Sequence, residues 1–250
     1  MTGLLRFDAL LAHLTEHRAL DSTALSAAAG TAPAELQAVL NGRPPTGRLL
    51  RDLGPVFGLH AADLFVLAGQ SVPDDLTPVT RDPNWSVGSV IHNTMVMPAE
   101  HRRVLLDAIR AQPLVEREGR GGVDRPYHRY RPGFGAALLK LTHSRNLTWS
   151  STAKALYAVT DGRIYLSPST IGGVGRGIVE ATPELVAGFA GVLGFPVSDL
   201  AALGGVRLPD DLPPLHSRAA DMASVIWEAR RLTTAQLEDL ELTSRHLASR

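Results

Sequence analysis

Residues 57–79 read FGLHAADLFVLAGQSVPDDLTPV, and residues 193–215 read LGFPVSDLAALGGVRLPDDLPPL. The two stretches align without a gap, 136 residues apart, and ten of their 23 pairs are identical. The shared residues are Gly58/Gly194, Asp63/Asp199, Leu64/Leu200, Leu67/Leu203, Gly69/Gly205, Pro73/Pro209, Asp74/Asp210, Asp75/Asp211, Leu76/Leu212 and Pro78/Pro214. Self-similarity at a fixed offset is the signature of a duplicated structural unit. Upstream, Phe7, Leu11, Leu14, Thr15, Arg18 and Leu20 match Phe134, Leu138, Leu141, Thr142, Arg145 and Leu147 at an offset of 127. The second copy therefore carries an insertion of about nine residues between these blocks. Downstream, Ser89-Val90-Ile91 matches Ser224-Val225-Ile226, so a unit of roughly 110 residues is used twice. The repeated Pro-Asp-Asp-Leu reads as a turn, with proline fixing φ and the aspartates accepting from local backbone donors. Acid/base chemistry is not expected from Asp74, Asp75, Asp210 or Asp211.

Within one copy the apolar spacing is helical throughout. Phe7, Leu10, Leu11 and Leu14 form one amphipathic face. Asp21 or Ser22 can cap a second helix carrying Ala24, Leu25, Ala28 and Ala29, which Gly30 ends. Thr31 is the expected cap of a third helix over 34–40, with Pro33 near its first turn and Leu36, Val39 and Leu40 inward. Asn41-Gly42 terminates it, and two more helices follow over 47–57 and 61–68. Five short helices joined by tight turns make one compact all-α domain.

The stretch STALSAAAGTAPAELQAVLNGRPPTGRLLRDLGPVFGLHAADLFVLAG, residues 22–69, resembles the Cro/phage-repressor-type, or XRE-type, helix-turn-helix domain. SPSTIGGVGRGIVEATPELVAGFAGVLGFPVSDLAAL, residues 167–203, resembles the same pattern. The resemblance rests on the alanine-glycine turn, the Asn-Gly after the third helix and the Leu-Gly-hydrophobic-Pro-x-x-Asp-Leu ending. It implies two lambda-repressor-like domains in tandem, each with a recognition helix for the major groove of double-stranded DNA. Such domains usually act as dimers on half-sites about one turn apart. The expected organisation is a first domain over 1–70, a helical extension over 71–113, a linker over 114–132, a second domain over 133–207 and a C-terminal extension over 208–250.

Charge distinguishes the copies. The whole chain is neutral, with 25 basic and 25 acidic residues. Residues 1–70 carry net −1, 71–126 net −1, 127–207 net +4 and 208–250 net −2. Phosphate neutralisation dominates DNA affinity, so the second copy is the expected binder. The candidate contacts in the first copy are Ser22, Thr31, Ala34, Glu35, Gln37 and Arg43. Of the third helix's outward residues, only Glu35 and Gln37 can hydrogen-bond a base edge, while Ala34 can touch a thymine methyl. The family's base-reading positions fall on Pro33, Ala34 and Ala38, and in the second copy on Pro168, Ser169 and Gly173. The candidates in the second copy are Ser150, Lys154, Arg163, Ser167, Ser169, Thr170 and Arg176. The glycine-rich run 172–177 is a poor helix former.

Three further segments carry expectations. The insertion, residues 157–166, contains Asp161-Gly162 between apolar residues, a short-hairpin signal that competes with an irregular loop. The Gly/Pro/Arg-rich segment 117–132 reads as a linker, or as an arm whose Arg125, Arg129 and Arg131 enter a minor groove. A helical pair follows each domain, over 85–95 and 98–111 and again over 219–229 and 234–247. The stripes Val104, Leu105, Ala108, Ile109 and Leu237, Leu240, Leu247 suit domain packing, a homodimer interface or a protein partner.

Other function classes find little support. There is no cysteine, which excludes disulfides, thiolate metal sites and cysteine nucleophiles and fits a cytoplasmic chain. No apolar run is long enough for a membrane span, and the N-terminus lacks a signal-peptide pattern. His13-Leu14-Thr15-Glu16-His17 fits H-x-x-E-H, but the second copy has Lys140-Leu141-Thr142-His143-Ser144 there. The run 172–177 lacks the Lys-Ser/Thr ending of a phosphate loop. No cofactor, metal or catalytic set is expected. The leading expectation is a DNA-binding regulator acting as a covalent pseudo-dimer. Its rival is an interaction module that kept the fold and lost DNA reading. A recruited enzyme or small-molecule binder has no positive sequence feature behind it.

Overall fold

The computed structural model describes residues 6–80, 86–115 and 130–249. Among these residues the chain forms fourteen α-helices, one 3-10 turn and no strand. Unit one contains α1 (Phe7–His17), α2 (Ser22–Ala28), α3 (Pro33–Leu40), α4 (Gly47–Phe57), α5 (Ala61–Leu67), α6 (Ser86–Val96) and α7 (Ala99–Ala111). Unit two contains α8 (Phe134–His143), α9 (Trp149–Val159), α10 (Pro168–Gly175), α11 (Pro183–Leu193), α12 (Val197–Gly204), α13 (Ala219–Ala229) and α14 (Thr234–Ala248). Each unit thus runs through seven helices at the spacing of the sequence repeat.

Local chemistry sets the boundaries. Asp21 caps α2 by accepting from the Ala24 amide at 2.7 Å, and Thr46 caps α4 by accepting from Leu49. Thr148 with Ser151, and Thr233 with Gln236, close capping boxes on α9 and α14. Thr31 is not the cap of α3. Ala32 occupies that place without a side-chain bond, and the Thr31 hydroxyl donates instead to Glu35 Oε2 at 3.1 Å. Gly58 and Gly194 end α4 and α11 in the left-handed region, at φ 59° and 75°, which is why both copies keep glycine there. Pro-Asp-Asp-Leu is a turn as expected, a 3-10 turn over Asp74–Leu76, with Asp75 accepting from Arg51 at 3.0 Å.

The insertion forms no hairpin. Its first residues extend α9 to 11 residues, against 7 in α2, and residues 160–162 turn out of that helix. The flanking segments do not pair with each other. The Thr160 hydroxyl donates to Leu156 O and accepts from the Ile164 amide, and the Val159 carbonyl accepts from His216 N–H. Asp161-Gly162 supplies the positive φ of a helix-terminating turn rather than of a strand connection.

The extension stripes pack largely inside the chain, with Val104 left 51% exposed. The α6–α7 and α13–α14 pairs pack together as four helices. Leu105, Ile109, Leu237 and Leu240 are buried there. His101 Nδ1 lies 2.8 Å from Leu247 O, and Gln236 Nε2 donates to Pro113 O, so α7 and α14 run antiparallel. This assembly sits on unit two: α13 lies on α11, and α6 crosses α9. Accordingly, every residue of α11 from Leu185 to Leu193 is buried, whereas α4 keeps Arg48 and Arg51 in solvent.

The five-helix cores meet through α1 against α12 and α8 against α5. Two arginines that the repeat preserves make this contact reciprocal. Arg145 donates from both terminal nitrogens to Asp63, at 2.7 and 2.9 Å, and to the carbonyl of Leu193, the last residue of α11, at 2.7 Å. Arg18 donates to both oxygens of Asp199 and, at 2.7 Å, to the carbonyl of Phe57, the last residue of α4. Each arginine therefore caps a helix C-terminus in its own unit and pairs with an aspartate in the first turn of a helix of the other. Residue i meeting j while j meets i is the definition of an isologous, two-fold contact. No helix of the described residues is long and apolar enough to cross a membrane.

Candidate nucleic-acid interface

In unit one, α2 and α3 leave an outer face uncovered. Ser22, Ala34, Gln37 and Arg43 are exposed, and Thr31 and Glu35 are half-buried. Glu35 is held in place: its carboxylate accepts from Thr31 on one oxygen and from Thr46 at 2.9 Å on the other. It thus ties α3 to the start of α4 and keeps a negative charge beside the helix. Gln37 Nε2 donates to Asn41 Oδ1 at 3.3 Å, an i,i+4 contact at the surface that a base edge can replace. Arg43 is exposed at the end of this face, with the fixed carboxylate of Glu35 on the same helix pair.

Unit two presents the corresponding helices differently. Ser150 and Lys154 are exposed on α9, but α6 covers the side next to them. A Cβ placed on Gly88 of α6 would lie 3.5 Å from Ser151 Cβ and from Lys154 Cδ. Ser151 and Ala155 are buried, while their unit-one counterparts, Ala24 and Ala28, are exposed. Ile171 to Gly175 of α10 are all buried. Gly173 is consequently no base-reading position, since a Cβ there would lie 2.8 Å from Val179 Cγ2. Gly172 lies under the Trp149 ring, and Gly175 under Tyr130 and Leu139. The glycine run that is poor in intrinsic propensity is a helix here because packing leaves no room for side chains.

What remains accessible on α10 is its first turn and its end. Ser167 caps the helix by accepting from the Thr170 amide, and its oxygen lies 2.7 Å from Ser169 Oγ and 2.9 Å from Thr170 Oγ1. Arg176 is exposed at the C-terminus. Arg163 is largely committed elsewhere: it pairs with Glu184 at 3.3 Å and donates to Pro214 O at 2.7 Å. Arg131 is exposed ahead of α8, and Arg125 and Arg129 lie outside the described residues. The positive surplus of the second copy is therefore spread over several elements. Only Lys154 and Arg176 combine exposure with a place on the α9–α10 pair.

No sequence motif marks Arg18, Arg145, Asp63 and Asp199 as contact positions, although the repeat preserves all four. Arginine and aspartate kept at matched places among leucines were the available signal. Elsewhere, a hollow between α7 and α13 is lined by Glu100, Arg102, Arg103 and Asp221. The guanidinium of Arg102 is consumed there by Asp221 at 2.7 Å and Met97 O at 2.6 Å. Among the described residues no three His, Asp or Glu side chains converge on a common point. No family model, curated protein or solved structure matches this chain.

Proposed function

We propose that the protein is a double-stranded DNA-binding regulator of the Cro/phage-repressor helix-turn-helix type, working as a covalent pseudo-dimer. The reciprocal Arg18–Asp199 and Arg145–Asp63 contact carries this reading, because it pairs two like units through one chain. Paired units are what two half-sites on a duplex require. The outer faces of α3 and α10 supply the exposed Ala34, Gln37 and Ser169 and the half-buried Thr170 toward base edges. Ser22, Arg43, Ser150, Lys154 and Arg176 serve phosphates. With Arg43, Lys154 and Arg176 each neutralising one phosphate, affinity falls with a log–log salt slope of about −3, well short of a strongly basic repressor. Binding to duplex fragments flanking its own gene, titrated with salt, tests this. Arg43→Ala and Arg176→Ala are each expected to reduce the slope by about 1. Duplex binding that is undetectable at every salt concentration sinks the reading.

A second reading, a protein-interaction module that has given up base reading, draws on the burial of α10 and the cover that α6 lays on α9. It expects no effect of Gln37→Ala or Ser169→Ala on any duplex, and no salt-dependent retention of DNA.

A further inference from the structure

We infer that one chain fills one DNA target and that this target lacks dyad symmetry, an inference that rests on the DNA-binding reading above. The first part follows from where the isologous contact lies. Arg145 and Asp63 are fully buried, and Asp199 nearly so, in a contact made within the chain. The face by which two like units pair is therefore occupied. The helical extensions that offered a second pairing surface bury Leu105, Ile109, Leu237 and Leu240 against each other, leaving Val104 and Leu242 outside.

The second part follows from residues at matched places on the two third helices. A symmetric reader sets identical side chains against dyad-related base pairs, so its preferred site is palindromic. Here Ala34 corresponds to Ser169, Glu35 to Thr170, and Gln37 to Gly172. Gln37 is exposed and carries the donor–acceptor pair that adenine matches in the major groove. Gly172 has no side chain and lies beneath Trp149. Unit two offers hydroxyls instead, at Ser167, Ser169 and Thr170, which accept or donate with little base preference. The insertion adds a further difference. Tyr165, 85% exposed, stands just ahead of α10 with its ring edge-on to Tyr157 at 6.0 Å. Buried Ile164 and the Arg163–Glu184 pair pin that segment. Unit one has no counterpart. Two halves with different hydrogen-bonding groups in a fixed order favour a site with two unlike halves, the unit-one half being the more sequence-selective.

The test is selection by the full chain from a randomised duplex library. Sedimentation of the chain with the selected duplex then gives the stoichiometry. The expected result is one chain per duplex and a motif of two unlike halves about one helical turn apart. Replacing the unit-one half by the inverted repeat of the unit-two half weakens binding roughly tenfold or more, and the reverse replacement weakens it less. Gln37→Ala relaxes sequence preference in one half only, and Ser169→Ala affects the other only. Both residues are exposed, so neither substitution threatens the fold. A selected motif that is itself palindromic, or two chains on one duplex, overturns the inference while leaving DNA binding intact. Failure to enrich any duplex overturns both.

Discussion

Arg145 and Arg18 stand at matched positions and hold matched partners, but they sit in unlike surroundings. The Arg145–Asp63 pair is completely sealed from solvent, whereas the Arg18 side chain is 25% exposed. The seal comes from α13. Trp227 lies 5.2 Å from the Arg145 guanidinium, with Arg230 on the Trp227 ring at 3.9 Å and His60 stacked on it at 3.3 Å. The residue matching Trp227 in unit one is His92, which is exposed. At Arg18 the added neighbour is His17, whose Nε2 is 3.6 Å from Asp199. The cores thus keep a two-fold relation, and the extensions break it by gathering on unit two. A duplicated chain can hold its founding interface while its periphery takes separate paths.

The largest effect is expected where the seal is complete. Asp63→Ala strands the Arg145 charge in the interior and is expected to cost about 3–5 kcal/mol. Asp199→Ala removes the acceptor for a guanidinium that reaches water, so about 1–2 kcal/mol is expected. Urea unfolding of both variants beside the parent chain measures the difference. Equal losses would mean that the two clamps are energetically alike despite their surroundings, and the contrast drawn here would fail.

The next contrast concerns the helices themselves. Gly135 of α8 faces the carbonyl of Val174 in α10 so closely that a Cβ would fall inside contact distance of that oxygen. The matched residue in unit one is Asp8, which bears a full side chain. Gly135→Ala is therefore expected to cost about 1–3 kcal/mol by overpacking. Asp8→Ala loses the pair with Arg6 and a local backbone contact at the start of α1 and is expected to cost about 0.5–1 kcal/mol. Thermal unfolding of the two variants decides it, and a neutral Gly135→Ala would mean that α8 and α10 are free to separate.

Much of this architecture could be read from the sequence, because helix-forming patterns are local. Apolar spacing, caps and terminating glycines placed the helices within a few residues, and the duplication announced the seven-helix order. Where tertiary packing decided the outcome, the local signal misled. Asp161-Gly162 carries the backbone preference of a hairpin turn, yet Ile164 packs into the core and Thr160 closes the helix, so no second strand forms. The glycines of α10 looked like a weakened helix because sequence does not show Trp149, Tyr130 and Val179 closing on them. The surplus charge of the second copy marks it as the expected binder, but a net charge does not show that Arg163 is committed to Glu184 and a carbonyl. The reciprocal clamp joins residues far apart in the chain, and only the matched identities hinted at it.

The smallest expected effect comes from pH, and it acts on one side of the pseudo-two-fold only. Burial pushes the His60 imidazole down from 6.5 to about 4. Asp63 opposes that shift, while Arg145 and Arg230 reinforce it. The residue matching His60 in unit two is Pro196, which does not titrate. Between pH 6.5 and 4 the unfolded chain carries a proton on His60 that the folded chain does not. Stability therefore rises with pH across this window, is complete above it, and falls as acid is added. The outer edge of His60 remains in solvent, so the contribution is modest. His60→Gln removes the titration and keeps a planar group against Trp227. Its stability profile should be flatter than that of the parent between pH 4 and 6.5, and parallel to it above. NMR of the imidazole checks the same point directly, with a midpoint near 4 expected. A midpoint near 6.5 would mean that the Trp227 stack opens in solution, and the sealed clamp would then resemble its exposed twin.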